Sequence, residues 1–210
     1  MLAIVDYGVG NLFSLKSSLA HIGVEACVTG DADTLRRAQR IILPGVGAFG
    51  DAAEKLRESG LASVVVQEAE RGKPLLGICL GMQLLFEKGF EYGEHAGLGL
   101  LPGAVRPIAP IIGAGLKVPH IGWNALSFPE SEPKSPLFAQ VDAGECVYFV
   151  HSYADGVRCS RYRHSGIRRT AHGSGRACER HGDAVSSREK RGRGTSHSKS
   201  VLDAIRGCDL

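Results

Sequence analysis

Cys79 stands in the segment Gly77-Ile78-Cys79-Leu80-Gly81-Met82-Gln83, directly after the apolar run Pro74-Leu75-Leu76. A cysteine at the end of a buried strand, with a glycine two residues to either side, has the pattern of a nucleophile elbow. The glycines permit the tight strand-to-helix turn that holds one side chain up in a strained position. The chemistry such a residue performs is attack of a thiolate on a carbonyl carbon. The pattern predicts a helix over 80–87 whose N-terminus points at the sulfur and lowers the pKa of the thiol. The plainer reading is a buried structural cysteine; the two glycines and the polar Gln83 favour the nucleophile. A second candidate is Pro44-Gly45-Val46-Gly47, which follows the apolar run Arg40-Ile41-Ile42-Leu43. Alone it reads as a turn. In open α/β sheets, however, sites form at the carboxyl ends of strands, so this loop and Cys79 can converge on one crevice.

The elements that must position these residues alternate. Leu2-Ala3-Ile4-Val5 reads as a first buried strand, followed by a glycine-bearing loop and by Leu12, Leu15, Leu19 and Ile22 at helical spacing. Further strands are predicted over 24–28 and 40–43, with helices over 32–38, 51–57 and 61–71. Strand, elbow and helix then follow over 74–87. Beyond residue 100 the pattern changes to short strands near Val105, Lys117 and Trp123, and over 147–150. This order predicts an α/β fold: a three-layer, mostly parallel sheet with flanking helices, flavodoxin-like in arrangement.

The 210 residues suffice for one such domain with a sizeable core. No apolar run reaches the ~20 residues needed to span a bilayer, and the first residues read as a strand rather than a signal peptide. The six cysteines are scattered without paired metal-type spacing. They point to a reducing, cytoplasmic setting with no metal and no cofactor. The net charge of +3 conceals an asymmetry. Residues 157–210 hold 13 of the 25 basic residues and 5 of the 22 acidic ones, a net of +8. Residues 1–156 keep 12 and 17, a net of −5.

Five segments together resemble the class I (triad) glutamine amidotransferases. They are Asp6-Tyr7-Gly8-Val9-Gly10-Asn11-Leu12, Pro44-Gly45-Val46-Gly47-Ala48-Phe49, the Cys79 elbow, Val118-Pro119-His120-Ile121-Gly122-Trp123-Asn124, and Tyr148-Phe149-Val150-His151-Ser152-Tyr153. Within that superfamily the loop at Pro44 and the Gly122-Trp123-Asn124 segment are most similar to the glutaminase subunits of imidazole glycerol phosphate synthases, of histidine biosynthesis. The resemblance covers about residues 1–156. It implies that Cys79 attacks the side-chain amide of glutamine and forms a glutamyl thioester. It further implies that backbone N–H groups of Leu80 and of Gly45-Val46-Gly47 hold the oxyanion, and that Gly47, Gln83, Ser152 and Tyr153 line the glutamine pocket. The implied partner is a barrel-shaped cyclase (synthase) subunit. It forms a heterodimer with the glutaminase and receives the ammonia, with Asn11, Trp123 and Tyr148 at or near the interface. Read without the resemblance, those three are a loop cap, a core tryptophan and a strand aromatic. No membrane or nucleic-acid partner is expected.

The chain departs from the family after Gly156. The family's base and orienting acid lie in a late Phe-His-Pro-Glu-Lys-Ser segment that this sequence lacks. From Val157 onward hydrophobic periodicity is gone until Val201-Leu202. Residues 185–201 can nevertheless be written in codons that, read one base later, give FHPEKSGEEGLRILKAF. That string holds the missing segment and an amphipathic closing helix. The same shift turns 159–184 into two plausible strands with a turn. The reading is therefore an incomplete amidotransferase domain over 1–156 and an out-of-frame basic tail over 157–210, in place of the last strands and helix. In codon register the missing His and Glu fall near Ser186 and Arg188, and neither can act as base or orienting acid. His151, His164, His172, His181 and His197 are present, and none is assigned that role. Little or no turnover is expected of the chain in this form. The alternative is a triad-less amidotransferase-like scaffold whose basic tail binds RNA or an acidic partner; another amidotransferase of the superfamily is a third reading.

Overall fold

The computed structural model describes residues 1–112, 115–126 and 141–155. The tail over 157–210, with His164, His172, His181 and His197 and the codon positions of Ser186 and Arg188, lies outside the described residues.

The first half of the chain builds a parallel sheet. Strands β1 (Leu2–Val5), β2 (Ala26–Thr29), β3 (Arg40–Leu43) and β4 (Leu75–Gly77) lie in the order β2-β1-β3-β4. All three neighbouring pairs are parallel, in the registers Leu2↔Ala26, Leu2↔Arg40 and Ile41↔Leu75. Parallel neighbours need crossovers, and helices α1 (Leu12–His21), α2 (Ala32–Arg37), α3 (Phe49–Glu58) and α4 (Leu61–Glu70) supply them.

The period-two alternation of each strand splits the core across the two faces. Ala3, Val5, Ile41, Leu43 and Leu75 pack with α2, α3 and α4, whereas Leu2, Ile4, Ile42 and Leu76 pack against Leu19 of α1. Helices on both faces make the three layers that the sequence predicts. The two layers are unequal. On the α1 face, Leu12, Leu15, Ile22, Val24, Val28 and Ile78 remain only half-buried.

The prediction over 80–87 is corrected. Helix α5 spans only Leu80–Gln83, and β5 (Phe86–Gly89) follows it after a turn. Phe86 and Gly89 are buried while Glu87 is exposed, and the register with β7 shifts between Phe86 and Lys88, so the strand does not alternate regularly. A second sheet, ordered β10-β7-β5-β6, joins β5 to β6 (His95–Ala96), β7 (Leu101–Pro107) and β10 (Tyr153–Asp155). Only β5 and β7 run parallel in it. Strands β8 (His120–Ala125) and β9 (Cys146–His151) form a separate antiparallel ribbon. No strand forms at Lys117, which lies in a stretch without regular structure just before β8.

Among the described residues, no helix is long and apolar enough to cross a membrane.

Candidate functional site

Cys79 occupies the turn between β4 and α5 with φ 55° and ψ −122°. That is a left-handed conformation, which a side chain adopts at a cost of about 1–3 kcal/mol and keeps only where its surroundings impose it. Three glycines supply the constraint. A Cβ on Gly77 would lie 2.4 Å from the Met82 Cα. One on Gly81 would lie 2.0 Å from the Leu43 carbonyl oxygen, and one on Gly45 would lie 2.6 Å from the Gly81 nitrogen. The end of β3, the Pro44 loop and the start of α5 therefore interlock backbone against backbone, and no side chain fits between them. Val46, 51% exposed, and Gly47, at φ +91° with nothing within 4 Å of its Cβ position, face open space. The two strand ends meet as the sequence analysis expects.

The thiol's electrostatics differ from expectation. Cys79 is half-buried and free, and burial pushes its pKa above the usual thiol value; the Leu80 N–H, which donates toward it, offsets part of that rise. The net shift is therefore upward, against the depression that the sequence predicts, because burial outweighs the Leu80 N–H. A sulfur so placed needs a base to become a nucleophile. Gln83 lies one turn along α5 from Cys79, half-buried, on the same side of the helix.

Two residues that sequence reasoning missed tie the site together. Tyr7, just beyond β1, is buried, and its hydroxyl donates to the Pro44 carbonyl at 2.8 Å. Its pKa is raised by burial and then by negative charge on Cys79, so the phenol lies within reach of the sulfur's field. The strand-end rule that flags Pro44 would also have flagged Tyr7. The second is Glu91, whose carboxylate accepts from the Phe49 N–H at 2.7 Å, two residues past Gly47. Nothing in the sequence singles it out.

The later candidates fall into two groups. Ser152 is half-buried, and its carbonyl accepts from the Ile108 N–H at 2.9 Å. Tyr153, on β10, packs against the larger core. Its phenol pKa is raised by burial and then by the charges of Glu91 and Tyr92. Tyr153 therefore lies within the electrostatic reach of Glu91, which holds the Phe49 N–H.

Trp123 and Tyr148 instead pair across the β8–β9 ribbon with ring centroids 5.5 Å apart. Trp123 is 57% exposed, so the core reading of this residue is excluded. Ile121 and Val150 extend the same exposed face. On the other face His120 Nδ1 lies 3.0 Å from His151 Nε2, and His151 Nδ1 lies 3.2 Å from the Tyr153 carbonyl oxygen. Asn11 caps α1, its side chain accepting from the Ser14 N–H at 3.2 Å. Among the described residues, no group of three or more His, Cys, Asp or Glu could hold a metal ion.

Comparison with known proteins matches residues 3–174 to the family "Glutamine amidotransferase class-I". The imidazole glycerol phosphate synthase subunit HisH of Wolinella succinogenes is 49% identical over 154 residues, 73% of this chain and 74% of that protein. HisH of Aquifex aeolicus is 48% identical over 151 residues, 71% of this chain and 70% of that protein. Among solved structures, a glutamine amidotransferase aligns with a TM-score of 0.56 at 22% identity, over 74% of both chains. PurLQS from Thermotoga maritima aligns with a TM-score of 0.51 at 25% identity, over 73% of this chain and 68% of that one.

Proposed function

This chain belongs to the class-I glutamine amidotransferases and, within them, to the HisH subunits of imidazole glycerol phosphate synthase, and from that premise we propose that Cys79 is the nucleophile of a glutaminase. The thiolate forms an S–C bond to the side-chain carbonyl carbon of glutamine. The C–N bond then breaks, and ammonia leaves with a proton from the general base. Water cleaves the thioester to glutamate and restores the thiol. The observation that carries this reading is the interlock of Gly45 with Leu80 and Gly81. It sets a glycine-rich backbone beside the half-buried sulfur, where an oxyanion develops. The N–H of Leu80 and those of the Gly45-Val46-Gly47 segment are the proposed donors. Gln83, Ser152 and Tyr153 line the side of the site that receives the amino acid.

The partner is a cyclase subunit that takes up the ammonia for imidazole ring closure in histidine biosynthesis. The face formed by Trp123, Tyr148, Ile121 and Val150 supports this reading, because exposed aromatic and aliphatic side chains grouped on one face are characteristic of a docking surface. Asn11 sets the loop before α1, and Phe13, two residues on, is largely exposed.

We further propose that the last quarter of this chain is read out of frame, so that the general base and the acid that orients it are missing. Restoring the frame near codon 157 is expected to give a glutaminase that the synthase subunit stimulates and that Cys79→Ala abolishes. Full activity in the restored Cys79→Ala variant would overturn the assignment. Salt-sensitive nucleic-acid binding that vanishes on truncation after Gly156 would favour the scaffold reading instead.

A further inference from the structure

The Pro44–Gly47 loop is held at one end and free at the other. Pro44 is gripped twice. Its carbonyl accepts the hydrogen bond from the buried Tyr7 hydroxyl at 2.8 Å. Its ring lies against Gly10, where a Cβ would approach the Pro44 Cβ and Cγ to 3.3 Å. Both grips come from the segment after β1, which runs beside β3 in parallel register. A peptide unit is planar, so a fixed Pro44 carbonyl also fixes the direction of the Gly45 N–H. The next peptide units lack such restraint: Val46 is exposed, and Gly47 adopts φ +91° in open space.

We propose that Tyr7 is a positioning residue for the nucleophile: with Gly10 it anchors the Pro44–Gly45 peptide against the Leu80–Gly81 turn and so fixes the direction of the Gly45 N–H beside the Cys79 turn. This deepens the glutaminase reading and rests on it for the meaning of the loop. The anchor itself is a property of the fold. The raised pKa of the Tyr7 phenol, to which Cys79 contributes, agrees with the closeness of the two groups.

The test is Tyr7→Phe, which keeps the ring and removes only the hydroxyl. Cys79 and Cys27 are alkylated with iodoacetamide across a pH series, and each site is followed by peptide mass spectrometry. Freed from its anchor, the loop lifts from the elbow and water reaches the sulfur. The Cys79 pH midpoint then moves down, and its labelling at pH 8 rises about 3- to 10-fold, the range set by loss of one hydrogen bond. Cys27, half-buried on β2, changes less than about 2-fold in the same sample. Hydrogen exchange rises at the amides of 45–47 and not over 2–5. An unchanged Cys79 profile overturns the proposal. So does a parallel rise at Cys27, which marks general loosening. Gly10→Ala, which disturbs the other grip, is expected to act in the same direction. None of these readouts needs turnover. If glutamine fails to protect Cys79 in the frame-restored protein, the glutaminase reading falls while the test of Tyr7 stands.

Discussion

Gly45→Ala is the substitution by which the proposed oxyanion loop can be displaced by a known amount. The added Cβ would sit 2.6 Å from the Gly81 nitrogen and 3.0 Å from the Leu80 carbonyl carbon, all backbone that cannot rotate away. Ordinary contact begins at 3.4 Å, so the loop must retreat by about 0.8 Å. An N–H placed ~2.9 Å from the oxyanion would then stand at ~3.7 Å, beyond hydrogen-bonding range. Loss of one such donor costs about 10²- to 10³-fold in kcat. Gly47→Ala separates space from strain. Its Cβ meets nothing within 4 Å, but φ is +91°, so the penalty is roughly 1–2 kcal/mol of backbone strain. In a chain of this size that lowers Tm by roughly 2–8 °C. The assay is steady-state glutaminase activity of the frame-restored protein with its synthase subunit, paired with thermal unfolding. Gly45→Ala is expected to lose kcat with KM little changed, and Gly47→Ala to lose Tm first. A Gly45→Ala enzyme with undiminished kcat would refute the argument, because the loop would then have moved without consequence.

Three further outcomes follow from the same geometry. Burial raises the Cys79 pKa, so its alkylation should climb with pH through a midpoint above that of a free thiol such as glutathione, measured in one sample; a lower midpoint would contradict the desolvation. Glu68 is buried between Lys73 and Arg71, at 2.6 Å from each, and its carboxyl is held below the usual range, chiefly by the Lys73 hydrogen bond. Its stabilisation is therefore full above the unfolded carboxylate pKa and lost as pH falls through the lower folded value. Lys73→Met should cost about 3 kcal/mol, roughly 6–12 °C in Tm, because Lys73 also ties the Leu35 and Arg36 carbonyls at the end of α2. Trp123→Ala should weaken binding of the synthase subunit by roughly 30- to 100-fold in a calorimetric titration, as loss of an aromatic anchor does, while leaving Cys79 alkylation unchanged.

Legibility of the sequence followed periodicity. The runs Leu2–Val5 and Arg40–Leu43 are apolar on both faces because helices cover both, and a doubly covered parallel strand can be read directly. The predicted helix runs on into Phe86 and Glu87 of β5 because Leu80, Leu84 and Leu85 continue a helical spacing up to them. The chain turns there only because Leu84, Leu85 and Phe86 are drawn into the core, a tertiary preference that overrides local spacing. The turn at Cys79 and its meeting with the Pro44 loop are legible because Gly45, Gly77 and Gly81 mark backbone-to-backbone contacts. Tyr7 is legible only as a strand-end residue and Glu91 not at all, since each acts through one hydrogen bond to a residue about 40 positions away. The pKa of Cys79 was misjudged for a related reason: it depends on how deeply the turn is buried, which the motif does not record.

That misjudgement changes what the tail means. Were the thiol ionised by its helix alone, loss of the base would leave a slower but self-sufficient nucleophile. The fold instead raises the thiol's pKa, and the Leu80 N–H offsets only part of that. Ionisation must then be supplied by an imidazole brought to the sulfur, and in this family's pattern the imidazole arrives with the last strands and the closing helix. The half-buried Leu12, Leu15, Ile22 and Ile78 on the α1 face point the same way, because further packing there would complete a layer that α1 covers only in part. On the proposed frame, the base and further apolar cover for the α1 face belong to the same stretch of chain. A single displaced base can therefore remove both the proton acceptor and part of the core that would hold it in place.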